Sequence, residues 1–596
     1  MKNRNKKYKL SFIAGVIILA LTLGSCESYL DKAPESSITE KDAFGNFVSF
    51  QGFVEEMYNC ITDYSETQSW FLFADEVLTN QPFAFDQGDY WAQSGLLYGT
   101  TASTDLNNFN KRVWPLCWYG IRKANLALSK LDLLVDATQE EKDLIKGQAL
   151  FFRGWFYFEL MRYWGGLPYI DTVLSSTDEL AIPRLNYRET ALKAAKDLKD
   201  AAALLPVKWD DTEAGKRTLG NNRQRISKVM ALAYLGKDLL FAASPMMNEE
   251  STGKASFDAD LCKQSAEAFA DAIKICDETG AYRLQSWDTW TDNFWVWTPG
   301  WHNKMPGGTE VIMNTTVFLS YRVTSVMVGR FTPVEMGLLA PMTEVPTNNY
   351  VKNYGMANGL PIDDPLSGYD PNDPWTNREP RFYKDIIIDG DELAATTAAG
   401  PDRYAQLYNG GRHKGGKQGS VTGYYFKRWS PKGCNKWENK QNNFQSYVPY
   451  MRLADVYLMY AEAVLQGFGT AQSKVPGSIT AEQAVNVIRN RAQLPSLTGS
   501  YAATKDRFME TIIRERAVEL AFDTNRFHDL RRWNISGETK YKEKTAIDFD
   551  RGPNGKPIYI NDRVVVTRVF EKKHNWLPFQ VSFTKLYKDF PQNPGW

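Results

Sequence analysis

The chain has 596 residues, with 70 Lys and Arg against 70 Asp and Glu, 43% hydrophobic residues and four histidines. A charged fraction of 23% and an aromatic fraction of 13% describe a globular protein rather than a disordered one. Balanced charge leaves no basic footprint for nucleic acid. The excess lies in 18 Trp, 30 Tyr and 32 Phe. Indole carries an N–H that wants a partner, so surplus Trp points to binding surfaces as well as to core.

In chain order, Lys2, Arg4, Lys6, Lys7 and Lys9 precede an apolar run of 14 residues, Leu10 to Leu23. A bilayer span needs about 20 residues, so this pattern reads as a signal segment at 1–25. Leu23-Gly24-Ser25-Cys26 is similar to a bacterial lipobox, which makes Cys26 the expected lipid attachment point and 26–40 a lipid-anchored tether. Loss of 1–25 removes five basic and no acidic side chains and leaves a net charge of −5. The other cysteines, 60, 117, 262, 276 and 434, are odd in number and form no C-x-x-C, so buried thiols are expected.

Thr39 and Asp42 have capping-box spacing ahead of Phe44. Amphipathic periodicity predicts helices near 111–134, 140–163, 187–205, 224–243, 259–278 and 480–491. Leu453, Val456, Tyr457, Tyr460, Ala461 and Val464 mark another helical face, and so do Met509, Ile512, Ile513, Ala517, Leu520 and Ala521. Starts near 141, 187, 224 and 259 suggest stacked pairs of tetratricopeptide type. The fold class is therefore mainly α. The expected parts are helical at 41–280, irregular and aromatic-rich at 281–445, and helical again at 446–596.

The middle part has poor helical periodicity and many Gly, Pro, Asn and Trp; long irregular segments are usually functional or disordered, and the many aromatics here argue for ordered and functional. Val311–Met313 and Ile386–Ile388 read as short strands, and Asp363–Pro365 and Asp370–Pro374 as turns. Trp287, Trp290, Phe294, Trp295, Trp297 and Trp301 fall within fifteen residues. A second group, Trp70, Phe71, Phe73, Phe83, Phe85, Tyr90 and Trp91, is interleaved with Asp75, Asn80, Asp86 and Asp89. Sugar rings present an apolar C–H face and a girdle of hydroxyls, so flat rings flanked by Asp, Asn and Arg suit them. The loop Trp375–Arg381 has the same mixture. The candidate ligand residues are Trp91, Trp295, Trp297 and Trp301 for stacking, with Asp75, Arg378 and Tyr408 as polar contacts.

Signatures of catalysis and metal binding are sparse. No H-E-x-x-H, G-x-S-x-G or G-x-G-x-x-G occurs. Gly411–Gln418 matches a P-loop except at its last position, where Gln418 stands in place of the metal-reaching Ser or Thr. No cofactor is expected. Asp370, Asn372 and Asp373 are the candidates for a structural calcium, although a turn is the better reading and EF-hand spacing is missing. The alternation of Arg514, Glu515, Arg516, Glu519, Asp529, Arg531 and Arg532 with apolar residues points to ion pairs closing a helical core.

Three stretches resemble the SusD/RagB family of outer-membrane lipoproteins of Bacteroidetes. They are Cys26 with Tyr29-Leu30-Asp31 and Pro34; Ala149–Phe158 with Gly165-Gly166-Leu167-Pro168-Tyr169; and Arg514–Phe522 continuing to Arg526–Trp533. The ending Gln592–Trp596 fits as well, whereas Leu577–Gln580 lacks a second proline. The resemblance implies tetratricopeptide-like helix pairs and an irregular ligand-binding part. It also implies an outward-facing place at the outer membrane and a TonB-dependent SusC-like transporter as partner. Members of SusD type deliver oligosaccharides and those of RagB type deliver peptides. The aromatic excess favours a glycan, and near-neutral charge favours a neutral one. A peptide binder is the alternative, and a glycoside hydrolase the third reading.

Overall fold

The computed structural model describes residues 39–62, 64, 73–79, 82–91, 98, 112–175, 177, 182–297, 308–314, 344–416, 419–440, 444–586 and 589–596. The expected capping box starts the first helical turn. Thr39 accepts from the Asp42 N–H, and the Asp42 carboxylate accepts from the Thr39 N–H at 3.0 Å. The principal helices are α1 (Phe47–Glu55), α2 (Val113–Ser129), α3 (Gln139–Trp164), α4 (Tyr187–Leu204), α5 (Lys228–Ala243) and α6 (Ala259–Thr279). After the irregular part come α7 (Leu453–Phe468), α8 (Ala481–Arg491), α9 (Lys505–Glu519) and α10 (Arg526–Arg532). Thr138 with Glu141, Asn186 with Glu189 and Thr480 with Gln483 form the capping boxes that fix the starts of α3, α4 and α8.

The helices stack in sequence: α2 on α3, α3 on α4, α4 on α5, α5 on α6, and α6 on α7. The array is thus interrupted in sequence between α6 and α7 but continuous in space. Helix α3 lies at its centre and is buried on nearly every side from Leu144 onward, as expected of a helix with no polar face. Close approach needs small residues. A Cβ on Gly120 would collide with the Phe156 ring, and one on Gly154 would meet the Ala194 carbonyl oxygen at 2.9 Å. Ala191, Ala194, Leu198 and Ala201 are buried along the α4 face that packs in return.

The strands are β1 (Val77–Thr79), β2 (Trp295–Trp297), β3 (Val311–Met313), β4 (Glu344–Pro346), β5 (Ile386–Ile387), β6 (Tyr425–Phe426), β7 (Phe444–Ser446), β8 (Met451–Arg452), β9 (Glu543–Arg551) and β10 (Pro557–Thr567). They form antiparallel pairs β1–β4, β2–β7, β3–β8, β5–β6 and β9–β10. Pairs this small are marginal alone, so something else must hold the irregular part to the helices.

Two things do. The first is apolar: Trp290, Phe294 and Trp429 from the irregular part join the same continuous core as α3 and α7. The second is a buried lattice of ion pairs. Arg452, on β8, reaches Glu310 at 2.7 Å, Glu519 at 3.0 Å and Asp523 at 2.7 Å. Arg428 spans Asp385 (2.8 Å) and Asp523 (2.9 Å), and Arg381 reaches Glu379 (3.1 Å) and Glu515 (2.9 Å). Arg491 joins Glu310 (2.9 Å) to Glu519. On the helical side, Asp455 takes Arg516 (2.7 Å) and Lys237 (3.1 Å), and Arg532 clasps Glu462 and Asp529. The alternating charges of the 514–532 run are therefore interior, as their apolar spacing indicates.

Cys60, Cys117, Cys262, Cys276 and Cys434 are buried. Burial pushes the Cys60 and Cys276 thiols up to about 12, which keeps them protonated and unreactive. Among the described residues no single helix is long and apolar enough to cross a membrane.

Candidate ligand-binding site

The expected aromatic groups divide between core and surface. Phe73 stacks on Phe85 at 4.4 Å, Phe85 on Tyr90 at 4.1 Å, and Tyr90 leads to His574 at 4.7 Å and Trp596 at 5.8 Å. This wall ends at Trp91, which is 40% exposed and meets Trp596 edge-on at 6.0 Å. Trp596 is held by its indole N–H, which donates to the carbonyls of Lys573 and Trp576, both at 2.9 Å. Trp596 is thus a neighbour of Trp91 that no local pattern could pair with it.

In the second group Trp290 and Phe294 are fully buried, with the Arg428 guanidinium 4.7 and 4.5 Å from their rings. Trp287 and Trp295 stay half-buried at the rim. Lys384 sits 5.1 Å over the Trp287 ring. The Trp295 indole donates to the Arg428 carbonyl at 2.9 Å, so its orientation is tied to a residue of the buried ion lattice. Along β2, Trp295 pairs with Ser446 and Trp297 with Phe444. Trp70, Phe71, Trp301 and Cys26 lie outside the described residues.

Tyr408 is half-buried, with the Arg551 guanidinium 4.3 Å from its ring. Arg551 donates to Asp389 at 2.7 and 2.6 Å, and Asn409 donates to Asp550 at 2.9 Å. Ring, guanidinium, the Asp550 carboxylate and the Asn409 amide therefore meet at one surface, while the Asp389 side chain that Arg551 grips is 2% exposed. Trp91, Trp295 and Tyr408 occupy three separate neighbourhoods, with no ring contact among them in the described structure.

Two expected polar contacts are corrected. Asp75 is 2% exposed, and Arg526 donates to both its oxygens at 2.9 and 3.0 Å. Arg378 is 3% exposed and donates to the carbonyls of Gly355, Pro374, Val351 and Tyr354 at 2.6–3.2 Å. Both hold backbone and helices together rather than face a ligand. Trp375 is likewise interior, packed on Phe549 at 5.0 Å. Their sequence neighbours made these loops read as surface, because composition does not reveal that an Arg is recruited to bind carbonyls.

The Asp370–Asp373 loop is a turn, the reading its sequence favours. Asp370 accepts from the Asn372 N–H at 2.8 Å, while Asp373 takes Thr376 and Lys556. Among the described residues no three His, Cys, Asp or Glu side chains converge to hold a metal. In the P-loop-like segment, Lys414 donates to the Ile547 carbonyl at 2.7 Å and pairs with Asp548 at 2.8 Å.

Arg526 also lies 5.5 and 5.0 Å from the Tyr350 and Tyr541 rings. Arg526→Ala would leave Asp75 buried without its partner, so a loss of about 3–5 kcal/mol is expected. Ligand affinity of the fraction that remains folded should be unchanged. Denaturant unfolding alongside titration checks this, and normal unfolding with lost binding would contradict it.

Comparison with known proteins agrees with this architecture. Residues 340–596 match the SusD family model, and residues 28–237 match a model described as starch-binding associating with outer membrane. SusD-like protein P2 of Formosa agariphila is 24% identical over 548 residues, covering 89% of this chain and 92% of its own. A SusD-like protein of Bacteroides fragilis superposes with TM-score 0.68 at 22% identity, over 95% of this chain and 100% of that one. A SusD-like carbohydrate binding protein of the same organism gives 0.62 at 19% identity, over 92% and 99%.

Proposed function

The chain belongs to the SusD-like family, and on that premise we propose that it is a surface-exposed, lipid-anchored glycan-binding protein. It captures oligosaccharides and passes them to a TonB-dependent SusC-like transporter in the outer membrane, with Cys26 as the acylated anchor. The observation that carries the reading is the bracing of Trp295 on β2. Trp295 is locked through Arg428 to the ion lattice. Trp297 follows on the same strand, and Trp301 comes four residues later in the sequence. Binding loops mounted on a rigid scaffold are the usual place for recognition, and rings fixed before the ligand arrives lose little entropy on binding. Trp91 supplies a further exposed ring, and Tyr408 with Arg551 a half-buried ring beside a guanidinium.

Burial also bears on the enzyme reading. A glycosidase needs two carboxylates at a substrate-accessible cleft. The carboxylate cluster of Glu310, Glu515, Glu519 and Asp523 is at most 3% exposed and paired with arginines. That cluster supports the scaffold, and the protein acts by binding.

The test is calorimetric titration of the soluble protein from residue 27 onward against neutral oligosaccharides and mixed peptides. Heat from one class of neutral glycan is expected. Heat from peptides alone would instead place the protein with the peptide-binding members.

A further inference from the structure

Where the segment between α4 and α5 meets the turn at Gly308–Thr309, a groove of about 350 Å³ opens at the surface. Its floor is built from buried, mutually braced groups. Trp209 is 4% exposed, its indole donates to the Ile226 carbonyl at 2.8 Å, and the Arg225 guanidinium lies 5.0 Å from its ring. Arg225 pairs with Glu55 at 2.7 Å and donates to Asn222 at 3.0 Å. Asn222, 5% exposed, donates to Asp210 and to the Gly215 carbonyl.

The opposite wall is equally fixed. The Thr309 N–H donates to Gln285 at 3.0 Å, and its hydroxyl donates to the Arg283 carbonyl at 3.0 Å. The Gln285 N–H donates to Glu310 at 3.0 Å, which ties this wall to the buried ion lattice. The groove is therefore preorganised from both sides.

Its charge differs from that of the chain as a whole. Lys208 and Arg223 stand exposed at the rim and Arg225 is half-buried behind them. Lys208 is steadied there by the Thr279 carbonyl, to which its ammonium donates at 2.7 Å. The carboxylate among the lining residues is Asp210, and it already accepts from Asn222 and from the Gly220 N–H. Lys208, Arg223 and Arg225, set against Asp210 and the Glu55 that pairs with Arg225, leave the groove with an excess of one positive charge.

We propose that this groove is a second saccharide site, separate from the aromatic rim, for an acidic sugar unit. Its carboxylate or sulfate ester lies between Lys208 and Arg223, and its hydroxyls meet Asp210 and Thr309. The volume falls in the range of about 300–1,000 Å³ typical of small-ligand sites. A neutral sugar would make no use of the positive rim. A peptide would need an apolar pocket for its side chains, whereas here the rings form the buried floor. The site does not depend on the neutral-glycan reading of the rim.

The experiment titrates the protein from residue 27 onward with a short oligogalacturonate, a sulfated disaccharide, a neutral oligosaccharide of matching length and an oligoglutamate. Binding of the uronate, the sulfate ester or both is expected, weakening as salt is added, and either response identifies the anion. Lys208→Gln with Arg223→Gln should weaken it by about tenfold, the scale of two exposed ion pairs lost together. Melting should be nearly unchanged, because both side chains are exposed. Trp297→Ala should leave this binding intact. The proposal is overturned by silence from both acidic saccharides, by equal binding of oligoglutamate, by indifference to the double substitution, or by loss in Trp297→Ala.

Discussion

Arg452→Ala is expected to destabilise the protein by about 3–5 kcal/mol, because it leaves buried carboxylates without their shared cation. Arg452 is 1% exposed and serves Glu310, Glu519 and Asp523 at once, with a further bond to the Glu519 carbonyl at 2.7 Å. Those partners come from the irregular part, from α9 and from the turn before α10. The loss therefore falls on the joint between the two kinds of structure. Arg452→Lys should recover only a minor part, since one ammonium cannot reproduce the planar fork that meets several acceptors. Denaturant unfolding measures both variants. A change below about 1 kcal/mol, the range of exposed pairs, would show that the apolar core alone joins the parts.

The second large effect is an acid and alkaline asymmetry of stability. Burial by itself would raise Glu515, Glu519 and Asp455. The guanidiniums of Arg381 and Arg489, those of Arg491 and Arg452, and the Lys237–Arg516 pair outweigh it and hold all three at about 2. Their unfolded values are about 3.9–4.3. A depressed folded pKa gives stability that is complete above the unfolded value and is lost as pH falls toward the folded one. Stability should therefore drop steeply between about pH 4 and pH 2.

Glu76 acts in the opposite sense. It is 2% exposed, and burial first, then the neighbouring Asp75 carboxylate, pushes it up to about 8. The folded protein keeps that proton across a range where the unfolded chain has lost it, so stability declines from about pH 4 to pH 8. Glu76→Gln should lessen this decline and melt higher than the parent at about pH 8, while the buried Asp238 carboxyl, also raised, keeps part of it. Melting scans across pH check both limbs. A profile flat in the acid range, or a Gln variant that keeps the parent's full decline, would contradict the assignment.

Much of this fold can be read from residue order, for local reasons. Thr39 with Asp42 writes a helix start within a single turn, and the helical face from Leu453 to Val464 writes a buried helix wherever it docks. Small residues such as Gly154 and Ala194 signal close helix packing before any partner is known. The alternating charges of 514–532, spaced by Leu520, Phe522 and Phe527, likewise show that they are interior.

The site was less legible because it is assembled from distant segments. Trp91 finds Trp596 across the length of the chain, and Trp295 takes its orientation from a carbonyl at Arg428. Asp75 and Arg378 sit among aromatics in sequence but are claimed by Arg526 and by four carbonyls in space. The groove at Lys208 and Arg223 has no motif at all. Its walls come from the α4–α5 segment and from a turn far along the chain.

The central claim is that aromatic rings of the rim bind neutral glycan, and Trp297→Ala and Trp301→Ala test it most directly. Each variant would be titrated with the glycan that binds the parent and melted under the same conditions. The expected result is a loss of binding of about tenfold, the scale of one aromatic contact of about 1.5 kcal/mol, in variants that the melting scan shows to be folded. Parent-like affinity in both variants would contradict the account and move the glycan site away from β2.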